Sequence, residues 1–238
     1  MRRRMRFLGT LLAVAGALTL VWALVVWQWM DPFTALYTKW KQHQLAAQYD
    51  RRAAAFQPPG ALGASLAAER RAIAREARAY RGEVRRGEAI GRIRIPRLGL
   101  DMVLVNGTDH DTLTKGPGRY LGSFMPGENR LVYIAGHRTT YLAPFAHIDD
   151  LRKGDAITIQ VPYGTFTYRI SGHRVVGSDD VSVLRSPRHE RLILQACHPR
   201  FFATHRYLQY GQLFRVRPTG GAPYELTAAA AQSSESRR

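Results

Sequence analysis

From residue 89 onward the chain is cut into short runs rich in β-branched and aromatic residues, each closed by glycine, proline or an Asn-Gly pair. The runs cover 90–95, 102–105, 130–135, 156–161, 165–176, 191–196 and 207–217. Seven to eight strands within about 130 residues indicate a closed barrel or a sandwich. Helical pattern inside this region is brief, at 111–115 and 144–151. A domain of this size can bury a core unaided. It must do so here, because Cys197 is the only cysteine and no intramolecular disulfide can form.

Ahead of the β-rich region, Met1-Arg2-Arg3-Arg4-Met5-Arg6 leads into residues 7–30, which carry no charge. As a helix this run is about 34 Å long, enough to cross a bilayer. Four arginines precede it and none follows directly, which orients the N-terminus to the cytoplasm, and Trp27 and Trp29 suit the far interface. Ala13-Val14-Ala15 has the small-x-small form of a signal cleavage site, but it lies in the middle of the run, whereas a signal h-region ends near its cleavage site. The expectation is a single-pass cell-membrane protein. Residues 1–6 form a cytoplasmic tail, 7–30 an uncleaved anchor, and the rest lies outside.

Asp31 and Pro32 punctuate the end of the anchor, and 33–56 is patchily amphipathic through Leu36, Trp40, Leu45 and Tyr49. Pro58-Pro59-Gly60 breaks that pattern. The stretch 61–86, rich in Ala, Arg and Glu with Ser65 and Glu69 near its start, reads as a solvated helix. Together 31–86 reads as a helical stalk or linker, with a helical hairpin packed on the domain as the alternative. Residues 87–218 form the main domain, and 219–238, with an alanine run and Ser-Ser-Glu-Ser, read as a disordered tail. The net charge is +17, most of it before residue 87. Arginines beside a bilayer meet anionic lipid or cell-wall polymer, and no aromatic-basic interleaving or reading helix points to nucleic acid.

Chemistry concentrates at two strand ends. Leu131-Val132-Tyr133-Ile134-Ala135-Gly136-His137 ends in a glycine turn and a histidine, and Ile193-Leu194-Gln195-Ala196-Cys197 ends in the thiol. Arg206 stands at the start of the final run. A lone thiol so placed reads as a nucleophile; the bland alternative is a small buried hydrophobe. A free thiol is only about 3% thiolate at pH 7, so an imidazole that exchanges a proton with it raises the reactive fraction and can protonate a leaving amine. A guanidinium stays charged and can stabilise an oxyanion or orient a substrate strand.

The ordered set of strand-histidine, strand-cysteine and strand-arginine resembles the sortases. Within them, His137-Arg138-Thr139-Thr140 and Cys197-His198-Pro199 are most similar to class E, the housekeeping sortases of high-GC Gram-positive bacteria. The resemblance implies a mainly β fold, a sortase-like closed barrel of seven to eight strands with short helices, behind a transmembrane helix. It implies His137, Cys197 and Arg206 as the catalytic residues. Thr139, Thr140, Tyr141, Ala196 and His198 are the implied substrate-binding residues. The family's Thr-Leu-x-Thr-Cys is Ile193-Leu194-Gln195-Ala196-Cys197 here, so both threonines are replaced by apolar residues and Ala196 lacks a hydroxyl. The implied reaction cleaves LAXTG- or LPXTG-like signals between Thr and Gly and passes the protein to a cell-wall amine. The implied partners are secreted proteins with a C-terminal sorting signal, a lipid II-like amine, and membrane lipid around the anchor.

Two other readings stand beside it. L,D-transpeptidases expect Ser-His-Gly-Cys, whereas this chain has Gln195-Ala196-Cys197-His198. A non-catalytic wall- or lipid-binding module would leave the thiol inert. His198 is a rival base by adjacency, but neighbouring side chains in an extended segment point to opposite faces. Asp109-His110-Asp111 reads as a solvated turn, and HExxH, Cys-x-x-Cys and phosphate-cradling glycine loops are missing from the sequence, so neither a metal nor a cofactor is expected.

Overall fold

The computed structural model describes residues 2–28, 32–58 and 65–226. The main domain is built from β1 (Ala89–Ile95), β2 (Leu100–Asn106), β3 (Gly118–Arg119), β4 (Leu131–Ala135), β5 (Ala156–Val161), β6 (Gly164–Gly177), β7 (Arg191–His198) and β8 (His205–Pro218). These pair in the order β6-β5-β1-β2-β3-β4-β7-β8, and β8 returns to β6, closing an eight-stranded barrel. The seven expected runs are strands. β3 was not anticipated: it is two residues long and exists only because Gly118 and Arg119 bridge β2 in parallel and β4 antiparallel.

Alternation along each strand decides what fills the barrel. Ile157, Ile159 and Val161 of β5 and Leu192, Leu194 and Ala196 of β7 join one core with Phe145 and Phe166. The intervening Ile193 turns outward into a separate apolar patch with Leu131, Tyr133, Val176 and Leu208. Closure needs bends. β1 shifts register at Ala89/Gly91, where a Cβ on Gly91 would lie 2.4 Å from the Gln160 carbonyl oxygen.

Among the described residues four α-helices accompany the barrel: α1 (Arg2–Gln28), α2 (Pro32–Ala55), α3 (Leu66–Glu83) and the single turn α4 (His110–Leu113). Over Arg3–Leu24, α1 is long and apolar enough to cross a membrane. The Trp27 side chain and the whole of Trp29 lie outside the described residues, as does Pro59-Gly60.

The expected stalk is corrected by the packing. α2 lays Thr38, Gln42, Leu45 and Tyr49 along the barrel: Leu45 and Tyr49 are buried with Val103 and Val105, and the Thr38 hydroxyl donates to the Thr114 carbonyl at 2.8 Å. The Gln42 amide donates to Val103 O at 3.0 Å and accepts from Val103 N at 2.7 Å, as a neighbouring strand would. α3 starts at Ser65, whose side chain accepts from Ala68 N, and buries Ala72, Ile73, Ala77 and Tyr80. The helix read as solvated therefore buries one stripe, its alanines and Ile73, while its charged positions stay outside. The Tyr80 hydroxyl donates to Ile90 O at 3.0 Å.

The tail reading is also corrected at its start. Thr219 donates through its hydroxyl to Pro162 O at 2.8 Å, and β9 (Tyr224–Glu225) pairs with Arg215 and Val216 of β8, beyond the point where β7 ends. Residues 227–238 lie outside the described set.

A buried carboxyl clamps the connection that precedes β7. Glu190 accepts from the Gly127 and Asn129 amides at 2.9 and 3.1 Å and from the Tyr168 hydroxyl at 2.6 Å. Burial raises its pKa from 4.5 to about 7 against the pull of these donors. The folded carboxyl therefore keeps a proton that the unfolded chain has lost, so its contribution is full below pH 4.5 and is lost as pH rises to about 7. The difference in unfolding free energy between the natural chain and Glu190→Gln, from urea titrations in detergent, should favour the natural chain at pH 5 relative to pH 8. The expected change is on the order of 3 kcal/mol. A pH-independent difference would contradict this.

Candidate active site

β4 and β7 run parallel with Ala135 opposite Gln195, and the Gly136 amide extends the ladder to Gln195 O at 3.0 Å. Two residues beyond that pair stand His137 and Cys197. On the other side of β7, Cys197 lies directly opposite Arg206 of β8. Cys197 and Arg206 are thus strand partners, and His137 lies two residues past the last β4–β7 pair, at the same end of the barrel.

Cys197 is half-buried, not sealed in the core. It shares the outward face of β7 with Ile193 and Gln195, beside the patch that Val183 and Leu184 of the β6–β7 connection partly cover. The Tyr133 hydroxyl donates to Gln195 Oε1 at 3.2 Å on that face. Arg206 donates from Nη1 to Ala203 O at 2.7 Å and His205 O at 2.9 Å, which fixes the guanidinium at the root of the β7–β8 loop.

His137 opens a loop that folds back on itself: the Phe145 amide donates to His137 O at 3.0 Å, and a Cβ on Gly136 would sit 2.7 Å from Phe145 Cδ2. Glycine at 136 permits that approach. The loop carries Tyr141, Leu142 and Ala143 at φ of 54°, 62° and 38°, three successive non-glycine residues in the left-handed region. It is held by the Ala143 amide on Thr140 O at 2.8 Å and by the Tyr141 amide on the Thr34 hydroxyl of α2 at 3.1 Å. Thr139 and Thr140 are half-buried in this loop, and the Tyr141 ring lies 5.1 Å from the His137 ring. His137 Nε2 is buried with no hydrogen-bond partner. Burial, then the neighbouring His110 ring at 6.4 Å, holds the His137 pKa below its ordinary 6.5.

The residues on either side of the thiol, Ala196 and His198, both turn away from its face of β7. Ala196 is fully buried and points into the barrel core, because alternation puts it on the face opposite Cys197. His198 turns the same way: its Nδ1 accepts from Arg138 Nη1 at 3.0 Å and its ring packs 5.8 Å from Tyr207. That also removes it as a base for the thiol.

Arg138 is the residue that sequence reasoning missed. Only 4% exposed, it donates to Ala146 O at 3.4 Å, Cys197 O at 3.3 Å and His198 Nδ1, and pairs with Asp149 at 2.7 Å. It ties the histidine loop to the cysteine strand. The signal was its place directly after His137. His110 was missed too: Asp109 caps α4 by accepting from Thr112 N at 3.1 Å, so the polar triplet is a helix start that aims a ring at His137. Among the described residues no cluster of three or more His, Cys, Asp or Glu could hold a metal.

Removing His110 should let the His137 midpoint rise. In an NMR titration of ring-labelled histidine, His137 should titrate below 6.5 and move upward in His110→Gln, because a neighbouring cation no longer opposes protonation. An unmoved midpoint would assign the whole depression to burial.

A thiol, an unpartnered imidazole and a guanidinium on neighbouring strands of a closed barrel define a cysteine acyl-transfer type of site. The sortase domain model matches residues 93–214, about half of the chain, and the chain belongs to the sortase family. Sortases are cysteine transpeptidases. Sortase D of Bacillus subtilis is 38% identical over 131 residues, covering 53% of this chain and 64% of its own length. Sortase SrtE1 of Streptomyces coelicolor is 28% identical over 164 residues, covering 62% of this chain and 47% of its own length. The chain therefore spans less than two thirds of either relative. A sortase D5 transpeptidase from Clostridium perfringens shares the fold with a TM-score of 0.59 at 24% identity, over 73% of this chain and 98% of that one.

Proposed function

We propose that the protein is a membrane-anchored cysteine transpeptidase that cleaves LAXTG- or LPXTG-like sorting signals between Thr and Gly. The observation that supports this is the pairing of Cys197 with Arg206 across β7 and β8 and the place of His137 just past the end of β4, which pairs with β7, with the thiol half-exposed and His137 Nε2 unpartnered. The Cys197 thiol passes its proton to neutral His137, and the thiolate attacks the threonine carbonyl. Arg206 faces the oxyanion or the substrate strand. The carbon–nitrogen bond to glycine breaks, His137 returns the proton to the departing amine, and a thioester remains. An amine of a lipid II-like wall precursor attacks that thioester, and the thiol is regenerated.

The substrates are secreted proteins with a C-terminal signal, and the anchor places the N-terminus in the cytoplasm and the barrel outside. Tyr141, Thr139 and Thr140 line the histidine side of the groove. Within the family, the His137-Arg138-Thr139-Thr140 and Cys197-His198-Pro199 stretches support class E. The higher identity to Bacillus subtilis sortase D over the barrel supports class D as the second reading. The L,D-transpeptidase alternative expects a histidine two positions before the thiol, where this chain has Gln195, and His198 after it is engaged by Arg138.

Full-length protein in detergent, given a panel of LPXTG and LAXTG peptides with and without an added amine, tests the reading and its class. Cleavage should rise with amine and a peptidyl adduct should form on Cys197. Cys197→Ala and His137→Ala should each lower turnover by about a thousandfold or more. Undiminished cleavage by Cys197→Ala would end the proposal.

A further inference from the structure

The first two turns of α2 carry an exposed apolar stripe, of which Phe33 and Tyr37 border a cavity shared with His110, Thr114 and Tyr141 of the barrel domain while Leu36 and Trp40 face outward. Phe33, Leu36, Tyr37 and Trp40 are 72%, 70%, 40% and 52% exposed, at the i, i+3, i+4, i+7 spacing of one helix face. Thr38, Gln42, Leu45 and Tyr49, which contact the barrel, occupy the opposite face. Further along the same outward face come Gln44, Ala47 and Arg51, so the stripe is confined to the end of α2 nearest α1. Lys39 and Lys41 flank it on either side, and the Lys41 ammonium sits 4.3 Å from the Trp40 ring centroid.

What covers this stripe follows from its continuity with α1. Three residues separate the two helices, and the Phe33 ring lies 6.0 Å from Trp22, which is within the stretch Arg3–Leu24 able to cross a membrane. The ring contact therefore ties the start of α2 to the C-terminal part of α1, the part that approaches the far interface. Aromatic rings with lysines beside them suit the headgroup layer, where the ring is buried and the ammonium reaches water or lipid phosphate. The barrel end that bears the site exposes further aromatic surface: Phe201 and Phe202, in the loop joining Cys197 to Arg206, are 65% and 78% exposed.

We propose that the stripe Phe33, Leu36, Tyr37 and Trp40 lies in the outer-leaflet headgroup layer of the bilayer that α1 crosses, so that the catalytic mouth is held against the membrane surface. Thr34 sits on the barrel side of these two turns and accepts from the Tyr141 amide, so the histidine loop is bonded to the docked segment. The partner is a lipid surface bearing phosphate, and the lysines make binding stronger on anionic lipid. This rests on α1 being a membrane span and not on the reaction.

Trp40 reports the contact directly. The chain has four tryptophans, so Trp22→Phe, Trp27→Phe and Trp29→Phe together leave Trp40 alone, and Trp27→Phe, Trp29→Phe and Trp40→Phe together leave Trp22 alone. Both full-length chains are reconstituted in phosphatidylcholine–phosphatidylglycerol vesicles, with or without lipid brominated near the headgroup or deep in the acyl chain. Trp40 emission should be blue-shifted and lose about half its intensity or more to the shallow quencher. Water-like, unquenched Trp40 emission with Trp22 quenched would overturn the docking and leave the span standing. Blue-shifted but unquenched Trp40 emission would mean that protein, such as a second copy, covers the stripe, and would overturn it equally. Unquenched Trp22 would remove the span and the proposal together.

Discussion

The parallel pairing of β4 with β7 is the contact on which the site depends. Parallel neighbours cannot be joined by a hairpin, so residues 136–190 must leave β4, travel round and return to start β7 in the same direction. In doing so they supply β5 and β6, which complete the barrel wall. The ends of two parallel strands point the same way, which brings His137 and Cys197 to one end of the barrel although sixty positions separate them. Register matters as much as adjacency. A slip of one residue would carry Cys197 into the core and put Ala196 on the outside, because successive side chains take opposite faces. Glu190 anchors the chain directly before β7 to the Gly127 and Asn129 amides before β4, which fixes that register from the far end.

Much of this could be read from residue order alone. The long strands announce themselves through β-branched runs, and the inward set Leu192, Leu194, Ala196 was present in the alternation. Taking Ala196 as a substrate contact set aside that alternation in favour of its place beside the thiol. β3 could not be read, because two residues carry no period; it depends on Gly118, where a Cβ would meet the Gly107 carbonyl oxygen, and on the buried Arg119 bonded to Asn106. The helices were legible as helices but not as packed ones. Alanine on α3 and the polar Thr38 and Gln42 on α2 look like solvated positions until the barrel presents a close surface and unpaired main-chain groups. The role of Arg138 was hidden because its partners come from two separate segments, Ala146 and Asp149 on one side and Cys197 and His198 on the other.

The two arginines near the thiol differ in what they can do. Arg138 is enclosed and spends its donors on Ala146, Cys197, His198 and Asp149, so its charge is neutralised in place and its effect is positional. Arg206 is half-buried at the groove edge and bonded through Nη1 to loop carbonyls. A charge that is to meet an arriving substrate belongs in the second setting, where it is not already paired with a carboxylate. His137 completes the contrast. Burial keeps it neutral and its Nε2 lacks a protein partner, an arrangement that costs stability and suits a group whose partner arrives with the substrate.

α2 connects this site to the rest of the chain through main-chain chemistry. β2 meets β3 at only Val105 and Asn106, which leaves the edge at Val103 open, and the Gln42 amide closes it with the two bonds a strand would make. One end of the same helix meets the Tyr141 amide and the other, through Arg52, meets Ala89 O at 2.9 Å. A helix bonded to the barrel at its start, middle and end cannot swing as a tether does. The distance from the start of α2 to the strained turn at Tyr141, Leu142 and Ala143 is therefore set by hydrogen bonds and packing. Because the Tyr141 ring packs against the His137 ring, a displacement of the start of α2 has a short path of contacts to the imidazole.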